Sequence, residues 1–398
     1  MSNGRNFRVI GGGKGKTEGE SNINKQIKQH KWKMAIQILL IVAGVMGIAF
    51  FAVHQYKNQL FSSVSIIAKA DRKLVKSAHY LENHNHLISY SKDGISCTDK
   101  NGKSIWNMTY EMQEPIVKMS AHYVAVGDYD GHIIHVINEK GEMITVDTKL
   151  PIKDFAISAE GMVAVILDDM ANSWIQVFQK NGEKIVEAKA TMSKTGYPTA
   201  IAISGEVMEV SYLYVDGETM RSSVTFYNFG GIGENSSDHI VSSYDYADTV
   251  IPLVGFLNQN ISFAVGDNRL MFFEGDKKPI SNADILLQEE IQAVYYGEDC
   301  IGLVFYDQSG EHKYRLDVYG CRGEKLFSYL IDMDFKDIIL ANRQAFIYND
   351  LQCVVVSETG KEKFAAAFPE RIYYAGKTDS LRKYIVVTEG KIGTLEFK

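Results

Sequence analysis

Past one long apolar run near its start, the chain alternates apolar and polar residues in short stretches separated by turns containing Asp, Asn and Gly. Period-two alternation places successive side chains on opposite faces of a strand, so each stretch is predicted to be a half-buried β-strand. The stretches group into a unit of about 36 to 54 residues that reads as four short strands, the pattern of a propeller blade. The clearest copies are residues 115–148 (PIVKMSAHYVAVGDYDGHIIHVINEKGEMITVDT) and 151–190 (PIKDFAISAEGMVAVILDDMANSWIQVFQKNGEKIVEAKA).

With the strands lettered a to d from the channel outward, strand b is the most apolar and marks the register. It recurs as HLISYS from His86, YVAVGD from Tyr123, MVAVIL from Met162, VMEVSYLYV from Val207, ISFAVGD from Ile261, CIGLVFY from Cys300, QAFIY from Gln344 and KYIVVT from Lys383. The ends of strand c echo one another too, as NEKGE, QKNGE, GCRGE and SETGK. The fold class predicted is all-β, an eight-bladed β-propeller preceded by one transmembrane α-helix. Seven blades is the alternative, because the first copy is weakly patterned around residues 78–85. The last copy ends after its third strand, KIGTLEFK, and the alternating segment 62–70 (SSVSIIAKA) is left without a blade. That segment is predicted to supply the missing outer strand and so close the ring, removing two free sheet edges.

The apolar run, residues 34–53 (MAIQILLIVAGVMGIAFFAV), carries no charge and is long enough to cross a bilayer core of about 30 Å. Arg5, Arg8, Lys14, Lys16, Lys25, Lys28, Lys31 and Lys33 precede it against only Glu18 and Glu20. The positive-inside rule then places the N-terminus in the cytoplasm and the propeller outside. The leader and core are long for a cleaved signal peptide, which favours an uncleaved signal anchor. The predicted organisation is a disordered basic tail (1–33), a spanning helix (34–53), a short linker (54–61) and the propeller (62–398).

The whole chain has 49 acidic against 42 basic residues, and removing the basic tail makes the remainder more acidic still. That disfavours a nucleic-acid partner, which needs phosphate-neutralising basic surface. Four cysteines are too few for a disulfide scaffold in a chain this long. Cys300 and Cys321 flank a predicted hairpin and are candidates for a cross-strand disulfide. Cys97 and Cys353 fall in third strands, where small buried thiols are expected.

This layout resembles the broad class of pyrroloquinoline-quinone-like and WD40-like propellers. More closely, it resembles a family of propellers of unknown function anchored by one N-terminal helix in Firmicutes-type bacteria. The resemblance covers residues 33–398 and rests on organisation. The WD and GH signatures of WD40 blades are absent, and Trp106 and Trp174 are the only tryptophans after the helix, which argues against quinone binding. No cofactor is expected.

The turn between strands b and c carries an acidic residue in every copy, and in a propeller these turns share one face. The residues are Asp93, Asp128 with Asp130, Asp168 with Asp169, Asp216, Asp267, Asp307, Asp350 and Glu389. Hairpin chemistry alone accounts for any one of them. A ring of them creates a field that attracts cations or a basic partner. The c–d turns, on the opposite face, carry Lys and Gly instead, as at Lys140, Lys180 and Lys361. His84 and His86 share a strand face, yet no Cys or carboxylate at zinc spacing completes a metal set, and no metal site is expected. No G-x-S-x-G, H-E-x-x-H or C-x-x-C occurs.

The reading is a single-pass membrane protein with a non-catalytic propeller that binds an envelope component or a protein partner. Asp93, Asp128, Asp130, Asp168, Asp216, Asp267, Asp307 and Asp350 are the candidate contact residues. The alternatives are an exported hydrolase or lyase whose site is built from loops of several blades, and a ligand sensor signalling through the helix. The insertion around Gly230, Gly231 and Gly233 in the long fourth copy is where a loop-built site would be elaborated.

Overall fold

A computed structural model of the chain describes residues 18–58, 60–71, 78–83, 85–192, 195–233, 238–380 and 382–398. The chain divides into two compact units, residues 1–59 and 60–398. The first contains one helix, Glu18–Asn58, within which His30–Ala52 is long and apolar enough to span a membrane. The helix begins well before residue 34. The stretch EGESNINKQIKQHKWK, part of the predicted disordered tail, is rich in Lys, Gln and Glu, so helix already nucleated in the apolar run extends back through it at little cost. It also runs to Asn58, through most of the predicted linker. The rest of that tail, residues 1–17, lies outside the described residues, as does His84 of the histidine pair.

The second unit is eight four-stranded antiparallel sheets, so the ring has eight blades. Blades 1 to 7 are consecutive, at residues 79–109, 115–147, 152–190, 197–247, 253–286, 291–331 and 337–367, and blade 8 takes strands a to c from 372–397. The weakly patterned first copy forms all four of its strands. Strand b lies between a and c in its own sheet and between two neighbouring blades, so both its faces are covered and its sequence runs apolar. Gln344–Tyr348 is buried at every position. Strand a, beside the channel, is half-exposed in blades 1, 2 and 6.

The outer strand of blade 8 is Val64–Asp71. It pairs antiparallel with Lys391–Phe397, from Val64 opposite Phe397 to Asp71 opposite Lys391. The chain ends are tied further where Ser62 and Ser63 donate backbone N–H bonds to the Lys398 carbonyl, at 2.6 and 3.2 Å, and the Lys398 N–H returns one to Ser63. Phe61 is buried just before the strand, stacked on Phe397 at 5.2 Å, with Lys363 Nζ 4.7 Å from its ring centroid.

A second recurrent device joins successive blades. In the turn after strand c of blade 2, Asn138 Oδ1 accepts the N–H groups of Lys140 and Glu142, and Gly141 takes a left-handed φ of 83°. This seats Gly141 on the outer strand of blade 1, where an added Cβ would lie 2.7 Å from Trp106 Cβ. The same seat recurs in blade 6, with Gly323 against Ala283, and in blade 7, with Gly360 against Phe327.

The Cys300–Cys321 disulfide does not form, and all four cysteines are free thiols. The register explains why: Cys300 pairs with Gly320, so Cys321 lies one position on and points to the other face of the sheet. Cys300 is buried against blade 7, while Cys321 packs toward blade 5 and donates its thiol to the Asp299 carbonyl at 3.3 Å. Cys97 and Cys353 are buried in third strands, as expected.

Two outcomes follow from these contacts. Gly141→Ala adds a clash to backbone strain and is expected to cost about 2 kcal/mol or more, whereas Gly205→Ala, at φ 56° with open space around it, costs about 1 kcal/mol; thermal unfolding reads the difference. Phe61→Ala should destabilise by about 3 kcal/mol by emptying the junction between the chain ends, measured by denaturant unfolding.

Candidate functional site

The alternating strands send the b–c turns and the d–a connections to one face, and the a–b and c–d turns to the other. Every predicted rim aspartate lies at a b–c turn, and most of them hold backbone or pair with bases. Asp128 accepts the N–H groups of Gln113 and Glu114 at 3.0 and 2.6 Å, fixing the connection from blade 1. Asp168 accepts Met170 N–H at 2.8 Å, and Asp267 accepts Val250 N–H at 3.2 Å. Asp307 bonds Ser309 and the His312 amide within its own turn, and its carboxyl is held below the usual range chiefly by Ser309. Asp130 pairs with Lys153 at 2.6 Å, and Asp350 with Lys336 and Arg371 at 2.9 and 2.6 Å. Lys336, then Arg371, holds the Asp350 carboxyl down. Asp93 and Asp216 make no side-chain hydrogen bond among the described residues, although Asp216 lies near the Arg221 charge.

The d–a connections reinforce the sign of this face with Glu111, Glu114, Asp248, Glu289, Glu290, Asp332, Asp334 and Glu370. Between strands b and c only Lys92 and Lys313 are basic. The counterweight is Lys149, Lys336 and Arg371 in the d–a connections, together with Arg72, Lys73, Lys76 and Lys194, which lie outside the described residues. The opposite face mixes both signs. The chain enters the propeller on that mixed face, since Val64 sits beside Phe397 at the c–d end of blade 8.

A site that the sequence did not single out lies at the channel mouth on the mixed face. It is a cavity of about 400 Å³ lined by Glu82 of blade 1, Glu298 and Asp299 of blade 6, Leu340, Ala341 and Asn342 of blade 7, and Lys377, Thr378 and Asp379 of blade 8. Lys377 reaches past blade 7 to Glu298 at 2.9 Å. Asn85, at φ 66°, donates its backbone N–H to Glu82 at 3.1 Å and its side-chain amide to Asp379. Asp299 Oδ1 is shielded from solvent and has no hydrogen bond of good geometry among the described residues, while Oδ2 stands 3.6 Å from Arg343. Burial pushes the Glu82 carboxyl up from 4.5 to about 7, against the opposing pull of the Asn85 amide and Lys377. The pocket thus combines a carboxyl that titrates near neutrality with an ammonium ion and further carboxylates. Among the described residues no group of three or more His, Cys, Asp or Glu has metal-binding geometry.

The described part of the blade 4 insertion lies away from this mouth. Phe229 N–H bonds the Glu206 carbonyl, and Asn228 reaches the Lys277 carbonyl of blade 5. A further carboxyl, Glu209, is fully buried between blades 4 and 5, where neither of its oxygens has a hydrogen bond of good geometry and burial pushes its carboxyl well above the usual range.

The model for a family of unknown function, DUF5711, matches residues 56–397, and the chain belongs to that family. No curated protein sequence matches it. Among solved structures it is similar to apo AztD from Citrobacter koseri, with a TM-score of 0.53 and 13% identity over 77% of this chain and 95% of that one. It is also similar to BamB from Moraxella catarrhalis, with a TM-score of 0.49 and 12% identity over 84% of this chain and all of that one. At such identities the likeness is one of fold.

Between about pH 4.5 and 7 the folded protein keeps a proton on Glu82 that the unfolded chain has released. This group's contribution to stability therefore falls as pH rises through that window and is constant above it. Glu82→Gln is expected to flatten the fall and to be the more stable form at pH 8, read from melting temperatures of both proteins across pH 5 to 8; parallel curves would refute the assignment.

Proposed function

We propose that the protein is a single-pass membrane protein whose propeller is a non-catalytic extracytoplasmic scaffold, binding a basic protein or envelope component through the b–c face. The observation that carries this reading is the charge difference between the two faces. One gathers carboxylates from the b–c turns and most d–a connections; the other is mixed, and the closing strand Val64–Asp71 begins there. Carboxylates grouped on one rim produce a field that speeds encounter with positively charged surfaces and weakens with salt. The basic residues ahead of the apolar helix support a cytoplasmic N-terminus and an exported propeller.

A second reading rests on the channel mouth. A carboxyl titrating near pH 7 in a cavity beside Lys377 has the protonation behaviour a general acid or base needs, which favours an enzyme. The two readings use opposite faces.

The test is recovery of partners from membranes by the full chain, native or with Asp93, Asp130 and Asp216 changed to Asn. Those positions carry no backbone-holding carboxylate, so folding is expected to survive. The scaffold reading predicts a partner retained by the native chain, lost by the variant, and released at salt of about 0.5 M. Partner recovery indifferent to both changes would refute it, and Glu82→Gln is expected to leave that recovery intact.

A further inference from the structure

Blades 2 to 4 expose, among the b–c face carboxylates, a group of apolar side chains that the propeller cores do not use. Tyr129 is 39% exposed, Met170 is fully exposed, Tyr197 is 36% exposed, and Val215 and Met220 are 60% and 47% exposed. Their placement is built in. Met170 has a left-handed φ of 69°, and its N–H is pinned by Asp168, while Asp169 holds the next two amides and the Trp174 indole at 2.9 Å. The turn is therefore ordered around a side chain that it drives into solvent. Lys153 Nζ lies over the Tyr129 ring at 5.0 Å while bonded to Asp130. The Tyr197 phenol feels the charges of Asp168, Lys153 and Tyr129, which places the turns of blades 2 and 3 and the start of blade 4 within electrostatic reach of one another.

The b–c hairpin of blade 4 adds a second exposed apolar group to the same face of the ring, on the blade 5 side of its sheet. Its second and third strands, Val207–Asp216 and Thr219–Asn228, have ten residues each, and pairing continues without interruption to Asp216 opposite Thr219. The hairpin therefore stands clear of the face, at about 3.3 Å per extra residue. Val215 and Met220 are a cross-strand pair near its end, two positions beyond the pairing of Leu213 with Tyr197. A turn needs none of these side chains to be apolar. Exposed Met and Tyr grouped within a polar rim are the composition of a protein-binding surface, where Met adapts its shape and Tyr supplies rigid contact area.

We propose that the turns of blades 2 to 4 form the contact patch of the b–c face, and that its occupant is a protein segment presenting apolar side chains flanked by Lys or Arg. Asp130, Asp168 and Asp216 supply the charge complementarity, and the same carboxylates disfavour an anionic lipid surface. This rests on the b–c face being the binding face, and the experiment separates the two claims.

The full chain in phosphatidylcholine nanodiscs, with empty nanodiscs as the blank, is titrated with two synthetic peptides of equal charge, one interleaving Lys with Leu and Phe, the other Lys with Ser. The expected result is binding of the first at least about tenfold tighter than the second, with the advantage removed by Met170→Ser combined with Val215→Ser and retained in Leu351→Ser, an exposed turn position on blade 7. Equal binding of the two peptides, or equal loss in the Leu351 variant, overturns the patch while leaving a charge-driven face in place. Binding of neither peptide overturns the patch and the basic-partner reading together.

Discussion

The antiparallel pairing of Val64–Asp71 with Lys391–Phe397 is the contact on which the rest of the ring depends, because without it blade 8 would have three strands and an open outer edge. An exposed strand edge is a template for association with another chain, and a propeller escapes this only by closing. The closing strand begins a few residues after the apolar helix, and the residue leading into it, Phe61, is buried between blades 7 and 8. Closure spans more than 300 residues of sequence separation, as in the Ser62 to Lys398 bond. It therefore carries a high loop-closure cost, which has to be offset by the packing it completes.

Between blades, stability is shared among apolar clusters of similar make-up, one at each junction. The smallest is where blade 8 meets blade 1, with Leu87, Ile385, Val387 and Ile392 buried there. In blades 2, 6 and 7 a c–d turn glycine locks the blade onto the one before it. A left-handed φ and the absence of a side chain are both needed for the turn backbone to lie on the neighbouring strand. The repeated turn sequence is thus a packing requirement before it is anything else, and this is why the Lys residues beside those glycines do not by themselves mark a functional face.

The acidic turns meet a different constraint. Most of their carboxylates hold amides or pair with Lys and Arg, so hairpin chemistry accounts for them one at a time. Their sum, with the d–a connections, still leaves one face more negative than the other. A partner would meet that summed field at a distance and the individual side chains only on contact. Glu82, at the other face, owes its chemistry to burial by four blades rather than to its own strand.

How much of this was legible in the sequence depended on how local each cause was. Strands, turn classes, the apolar helix and the count of eight follow from short-range periodicity, and the orphan alternating segment 62–70 signalled its own use as a closing strand. The Cys300 and Cys321 positions looked opposed from their places beside a hairpin, but a shift of one residue in register sends their side chains to opposite faces, and only the paired strands fix that. The channel-mouth pocket joins Glu82, Glu298, Asn342 and Asp379, which are separated by most of the propeller. The patch proposed on blades 2 to 4 draws on Tyr129, Met170 and Tyr197, whose turns share one face only because the ring sets each blade beside the next. Sequence by itself determined the elements and their repetition, because hydrogen bonding and side-chain alternation act over a few residues. Tertiary structure alone decided which distant groups share a cavity or a surface, because ring closure brings them together and burial then sets their charge.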